Sequence, residues 1–201
     1  MNYVLYTDES PYKMQREWLD RLPFDIYSVN VHTGAKRLIG RSYRTAPKWS
    51  VNGKWAVMYD PIAQVWNKFD GATGKVVNIS DAIGYPMFME SYDKPAPAPA
   101  YGIAGWTADG NNVFLYDAYD WWKIDLTGER QPECLTKGYG RKHGKSIRKM
   151  TSNIDKDVFQ KDEKVIVSLW DKDTMDEGVY QLDMKGRLRK LMEGNYVYTI
   201  H

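Results

Sequence analysis

Trp49-Ser50-Val51-Asn52-Gly53-Lys54-Trp55-Ala56-Val57-Met58-Tyr59-Asp60 aligns without a gap on Trp106-Thr107-Ala108-Asp109-Gly110-Asn111-Asn112-Val113-Phe114-Leu115-Tyr116-Asp117. Trp, Gly, Tyr and Asp fall at identical offsets in the two copies. Each copy reads as a strand that enters an Asn-Gly or Asp-Gly turn and an apolar strand that leaves it. A weaker third copy runs from Phe159 through Asp162-Glu163 and Val165-Ile166-Val167-Ser168-Leu169-Trp170 to Asp171. The periods, Trp49 to Trp106 and Trp106 to Phe159, are 57 and 53 residues. Such lengths suit four-stranded propeller blades with loop insertions, whereas helical repeats are shorter. No sustained i, i+3, i+4, i+7 apolar pattern supports helices.

A second phrase recurs in step with the first. Tyr27-Ser28-Val29-Asn30-Val31-His32-Thr33-Gly34, Trp66-Asn67-Lys68-Phe69-Asp70-Gly71-Ala72-Thr73-Gly74, Trp122-Lys123-Ile124-Asp125-Leu126-Thr127-Gly128 and Tyr180-Gln181-Leu182-Asp183-Met184-Lys185-Gly186 each end a β-rich run in an Asx turn closed by Gly. The Asx side chain caps the turn and Gly supplies the positive φ. The expected fold is all-β, a partial β-propeller of four-stranded antiparallel blades spanning 1–201. Three blades are expected at about 47–80, 103–137 and 147–194, with a partial hairpin at 25–40. Identical spacing predicts that Trp49 and Trp106, and likewise Tyr59 and Tyr116, share register and face, since a one-residue slip would reverse every side chain.

Between the first two blades, 81–100 is an insertion carrying Lys94-Pro95-Ala96-Pro97-Ala98-Pro99-Ala100. That tract favours extended, polyproline-like backbone. Because the repeat resumes in phase after it, it is read as an ordered crossing. Near the start, one strand and a polar stretch precede a short helix expected at Met14 to Leu19. The chain opens in β-rich Asn2-Tyr3-Val4-Leu5-Tyr6 and closes in Tyr196-Val197-Tyr198-Thr199-Ile200-His201, so it is read as cut from something longer.

Composition narrows the function classes. The chain has 201 residues, 43% of them hydrophobic and 14% aromatic, enough for a sizeable core of strands. With 28 basic and 26 acidic residues the net charge is +2, which gives no argument for nucleic acid or an anionic membrane as partner. No apolar run is long enough for a membrane-spanning helix, and no signal peptide is read. A single Cys134 permits neither an intrachain disulfide nor a cysteine-based metal site.

Candidate chemistry is sparse. Gly138-Tyr139-Gly140-Arg141-Lys142-His143-Gly144-Lys145-Ser146 has the wrong glycine spacing for a phosphate loop and no clear following helix. Its basic run, Arg141 to Lys149, is read as a solvated loop. No Gly-x-Ser-x-Gly elbow occurs, and His32, His143 and His201 are scattered, so no hydrolase triad is assembled. Asp117/Asp120 and Asp171/Asp173/Asp176/Glu177 are read as turn acids, because the calcium-loop pattern is missing. No catalytic, cofactor or metal residues are therefore assigned. Tyr116, Tyr119, Trp121 and Trp122 are a candidate stacking platform for a sugar or peptide, set against their use as core.

The stretch Tyr101-Gly102-Ile103-Ala104-Gly105-Trp106, followed by Thr107-Ala108-Asp109-Gly110, Tyr116-Asp117 and Trp122-Lys123-Ile124-Asp125, resembles the β-propeller of prolyl oligopeptidase-family (S9) serine peptidases. The blade motifs are shared with TolB-like propellers. The resemblance runs from about Tyr3 to Glu193. It implies a non-catalytic role: covering the active site of an α/β-hydrolase domain in a secreted or periplasmic parent, and admitting only short peptides. The family's catalytic residues lie in that other domain, so none carries over. The alternative is a TolB-like propeller serving as an interaction or ligand-binding scaffold, and a third reading is carbohydrate binding. The open flanks around Ile26-Tyr27 and Val179-Tyr180 are expected to self-associate.

Overall fold

The computed structural model describes residues 2–19, 21–150 and 157–194. It is all-β, with four sheets that follow one another along the chain. The first holds β1 (Tyr3–Asp8), β2 (Phe24–Asn30) and β3 (Lys36–Tyr43). The second holds β4 (Lys48–Trp49), β5 (Trp55–Asp60), β6 (Val65–Asp70) and β7 (Val76–Asn78). In the third, β8 (Ile103–Thr107), β9 (Asn112–Tyr116), β10 (Trp121–Asp125) and β11 (Glu133–Cys134) lie side by side. The fourth combines β12 (Lys145–Lys149) with β14 (Lys164–Asp171), β15 (Glu177–Asp183) and β16 (Leu188–Gly194). The short β13 (Val158–Phe159) belongs to the third sheet.

Local chemistry sets the hairpins. Asn30 Oδ1 accepts the backbone N–H of His32 and Thr33, Asp70 that of Ala72 and Thr73, Asp125 that of Thr127, and Asp183 that of Lys185. The glycines closing these four turns all have positive φ, between 70° and 84°. Each recurring phrase is thus one capped turn between antiparallel strands.

Alternation along the strands then fills the space between sheets. Ala56 and Met58 point to a core shared with Phe24, Ile26 and Tyr43 of the first sheet. Their neighbours Val57 and Tyr59 point the other way, into a core shared with Trp106, Val113 and Leu115 of the third. Phe114, Tyr116 and Trp121 in turn meet Ile147, Val167, Leu169 and Leu182 of the fourth. Burial of each large apolar side chain contributes about 1.5–3 kcal/mol, so these three junctions dominate the stability. The repeat register is as expected: Trp49 opposes Ala56 and Trp106 opposes Val113, seven residues on in both cases. Trp49 packs at the junction before its sheet and Tyr59 at the junction after it; Trp106 and Tyr116 repeat this one sheet further along.

The insertion 81–100 packs against the second of these cores. Ile83 and Met87 are buried there, Phe88 bridges Ala100, and the Tyr59 hydroxyl donates to the Ala98 carbonyl at 3.1 Å.

Several expectations need correction. The helix near Met14 to Leu19 is instead a 3-10 turn over Ser10–Gln15, started by Pro11, with Met14 and Trp18 exposed, so no apolar face holds a longer helix. The third repeat copy breaks at its first strand: Phe159 lies in β13, which pairs parallel with β8 of the preceding sheet, while β14 takes β12 as its neighbour. Among the described residues this is the exception to an otherwise antiparallel pairing. The supposed open flanks are also misplaced, because Ile26 and Tyr180 are core residues. The exposed apolar side chains of the outer sheets are Val4 and Tyr6 at one end and Trp170, Leu191 and Met192 at the other. The strand expected at 196–200 lies outside the described residues.

Candidate functional site

The turn joining β9 to β10, Asp117-Ala118-Tyr119-Asp120, organises one end of the junction between the third and fourth sheets. Asp117 Oδ1 accepts the N–H of Tyr119 at 2.7 Å and of Asp120 at 2.6 Å, which closes the turn. Asp117 Oδ2 accepts the Trp122 indole N–H at 3.0 Å and Arg141 Nη2 at 2.8 Å. Asp120 accepts the Thr136 hydroxyl at 2.6 Å and the N–H groups of Gly140 and Arg141 at 2.9 and 3.0 Å. Both acids are buried, and charge-assisted bonds of this kind are the strong ones. They act as turn and loop acceptors; Asp171 does the same for Asp173 and Thr174.

These bonds fold the basic run back on the sheet, so it is not the solvated loop the sequence suggested. Residues Tyr139–Lys142 form a single helical turn, α1, and Lys145–Lys149 form β12. Gly140 fits because a Cβ there would stand 2.6 Å from the Tyr119 carbonyl oxygen. Arg141 lies with its guanidinium carbon 3.8 Å from the centre of the Tyr85 ring and 5.1 Å from that of Tyr119. Arg148 donates to the carbonyls of Ile147, Asp117 and Ala118 and faces the Tyr116 ring at 4.7 Å. Burial lowers its pKa from the ordinary arginine value.

The four platform residues do not form one surface. Trp121 and Trp122 are neighbours on a strand and so face opposite sides of the sheet. Trp121 is fully buried against Tyr116 at 5.2 Å, edge to face, with its indole N–H on the Ile147 carbonyl. Tyr116 is buried as well, and burial pushes its hydroxyl up to about 12. Trp122 belongs to the core between the second and third sheets. Tyr119 alone stays partly open, under Arg141 and with Lys172 Nζ 4.2 Å above its ring.

What remains open is a pocket of about 440 Å³ beside the platform, lined by Tyr85, Asp120, Trp122, Cys134, Gly138, Arg141 and Lys142. Tyr85 was not singled out in the sequence, and Arg141 was read only as part of the basic run Arg141 to Lys149. No local signal joined them, since they lie 56 residues apart (141 minus 85) and meet only in the folded chain. Aromatic walls and a cation fixed by Asp117 suit an aromatic or carboxylate-bearing group. Burial raises the pKa of the Cys134 thiol, so the pocket holds no activated thiolate. Among the described residues no group of three or more His, Cys, Asp or Glu side chains is placed to hold a metal, and no helix is long and apolar enough to cross a membrane.

No family model matches the chain, and no curated protein matches its sequence. Among solved structures it is similar to a putative TolB from Agrobacterium tumefaciens, at 14% identity and a TM-score of 0.48, covering 96% of this chain and 61% of that one. It is similar to the β-propeller domain of the Trilobed protease from Pyrococcus furiosus, at 13% identity and a TM-score of 0.47, covering 96% and 54%. A third is the acylaminoacyl peptidase of Pyrococcus horikoshii, at 13% identity and a TM-score of 0.45, covering 96% and 31%. The chain therefore spans less than two thirds of each of these structures.

Proposed function

We propose that the chain is a run of propeller blades from an S9-type serine peptidase, with blades at about 47–80, 103–137 and 147–194 and a partial hairpin at 25–40. Its role is non-catalytic: it covers the active site of an α/β-hydrolase domain in a secreted or periplasmic parent and restricts substrates to short peptides. The observation that carries this reading is the one-sheet translation of Trp49 and Tyr59 onto Trp106 and Tyr116. The second and third sheets thereby each bury one face against the unit before and the other against the unit after, as blades of a propeller do. The Tyr101–Asp125 stretch, which resembles the S9 propellers in sequence, supports the peptidase assignment. The pocket at Tyr85, Trp122 and Arg141 is the proposed contact for a peptide.

The test uses the parent protein beside this chain. A fluorophosphonate probe labels a serine of the parent outside these residues and labels nothing within them. The parent cleaves short chromogenic peptides and spares folded proteins, and a parent lacking this segment loses that discrimination. A parent without labelling or hydrolysis would favour the TolB-like scaffold.

A further inference from the structure

At the end of the third-to-fourth-sheet junction opposite the Asp117–Asp120 turn lies a second cavity, of about 510 Å³. It exists because β13 departs from the repeat. Trp106 N–H donates to the Asp157 carbonyl at 2.7 Å and Ala108 N–H to the Phe159 carbonyl at 3.0 Å, which draws Val158–Phe159 alongside β8. The chain then carries Gln160 and Lys161 along one wall, and the turn of Met184 and Lys185 forms the wall opposite. Phe114 and Phe159, 5.7 Å apart and both buried, close the floor with Met184.

Around this apolar floor stand four cations, Lys123, Arg130, Lys161 and Lys185. None makes an ion pair of 4.0 Å or less, or donates a side-chain hydrogen bond, among the described residues. The contrast is Lys68 at the neighbouring junction, whose Nζ is used on the Leu126 carbonyl at 2.5 Å. The single acid lining the groove, Asp109, accepts the Thr107 hydroxyl at 2.6 Å and the Asn111 N–H at 2.9 Å, and of the four cations Lys123 stands near enough to help lower its pKa, without an ion-pair contact. Four cations against one acid leave the cleft net positive, and such a cleft over low-dielectric walls concentrates its field and draws counter-ions. The floor adds a surface on which an apolar group is removed from water.

We propose that this groove binds a small organic anion of at least two negative charges, phosphate or carboxylate, whose apolar part lies on Phe114, Phe159 and Met184. The site is separate from the Tyr85–Arg141 pocket and does not depend on the peptidase reading.

Calorimetric titration of the chain with phenyl phosphate, phenylsuccinate and inorganic phosphate tests it. Saturable binding of an aryl anion, tighter than that of inorganic phosphate and weakened by salt, is expected; the stronger of the two aryl probes identifies the anionic group. The double variant Lys123→Gln/Lys161→Gln lowers that affinity about tenfold or more, the scale of one lost charged contact. Lys48→Gln, exposed on the second sheet and outside both pockets, leaves it unchanged, and thermal unfolding shows that both variants fold. Absence of saturable binding by either aryl anion, affinity equal to that of inorganic phosphate, or equal loss in Lys48→Gln would overturn the proposal.

Discussion

Arg141 Nη2 lies 2.8 Å from Asp117 Oδ2, and the Asp117 side chain is completely enclosed while Arg141 remains 31% exposed. The two partners are therefore not equivalent. Asp117 also accepts two backbone N–H groups and the Trp122 indole, all of which lose their acceptor if it is removed. Asp117→Ala is expected to cost about 3–5 kcal/mol, as for a broken buried pair. Arg141→Ala should cost less, because Asp117 keeps three donors. Chemical denaturation of both variants checks the order. A larger loss in Arg141→Ala would mean that the ion pair, and not the turn, stabilises this end of the junction.

Gly186 has φ +81°, and a Cβ there would stand 1.8 Å from the Leu135 carbonyl oxygen. Gly34 closes an equivalent turn at φ +70° with nothing within 4 Å. Gly34→Ala thus pays left-handed strain alone, about 1–2 kcal/mol. Gly186→Ala adds a backbone collision between the fourth and third sheets, and about 3 kcal/mol or more is expected. Melting temperatures of the two variants separate strain from collision; equal losses would place the turn of the fourth sheet away from Leu135.

Acid should loosen the fourth sheet. Glu193 on β16 is hydrogen-bonded by Lys145 on β12, across two intervening strands, and by Lys190 at 3.0 Å. Lys145 first and Lys190 second hold its carboxyl at about 2, against an ordinary 4.5. The folded value is depressed, so the contribution is complete above 4.5 and fades as pH falls toward 2. Glu193→Gln should flatten that part of the stability curve and leave the neutral region lower by a constant amount. Parallel curves for the two proteins below pH 4.5 would show that the contact carries no stability.

What was legible in the sequence was what adjacent residues decide. The Asx-Gly turns fix their hairpins locally, and gap-free spacing fixes the faces of Trp49, Trp106, Tyr59 and Tyr116, so the hairpins and the facing of those strands could be read. The parallel pairing of β13 could not, because it joins Phe159 to a strand some fifty residues earlier and no local pattern encodes it. Even so, Gly105 carried a sign of it. A Cβ there would meet the Phe159 ring at 2.5 Å and the Asp157 carbonyl at 2.6 Å, and a glycine inside a strand often marks such an approach. The platform failed for a related reason. Four aromatics close in sequence look like one surface, but strand alternation sends Trp121 and Trp122 into different cores. The residues that line the open pocket, Tyr85 and Arg141, come from separate loops that only the folded chain brings together.

The outer faces of the first and fourth sheets predict how copies of the chain meet. Inside the molecule every sheet face of this kind is covered by the next sheet. On β1, Tyr3 and Leu5 turn inward, leaving Val4 and Tyr6 exposed at 46% and 36%; Tyr6 is stacked on Tyr27 at 5.2 Å. On the far sheet Trp170 and Met192 are exposed at 38% and 50%, on the side away from the Leu169 core. The two faces are different surfaces, so contact between copies is head to tail and need not close. Outer units of repeat proteins stay soluble through polar outer faces, whereas these faces set Val4, Tyr6, Trp170 and Met192 among their charged residues. Sedimentation velocity should therefore show a sedimentation coefficient that rises with concentration. Tyr6→Glu should suppress the rise, and so should Trp170→Glu, because each places a charge in the contact. A strict monomer at high concentration would refute head-to-tail contact, and association unchanged by both substitutions would place it on another surface.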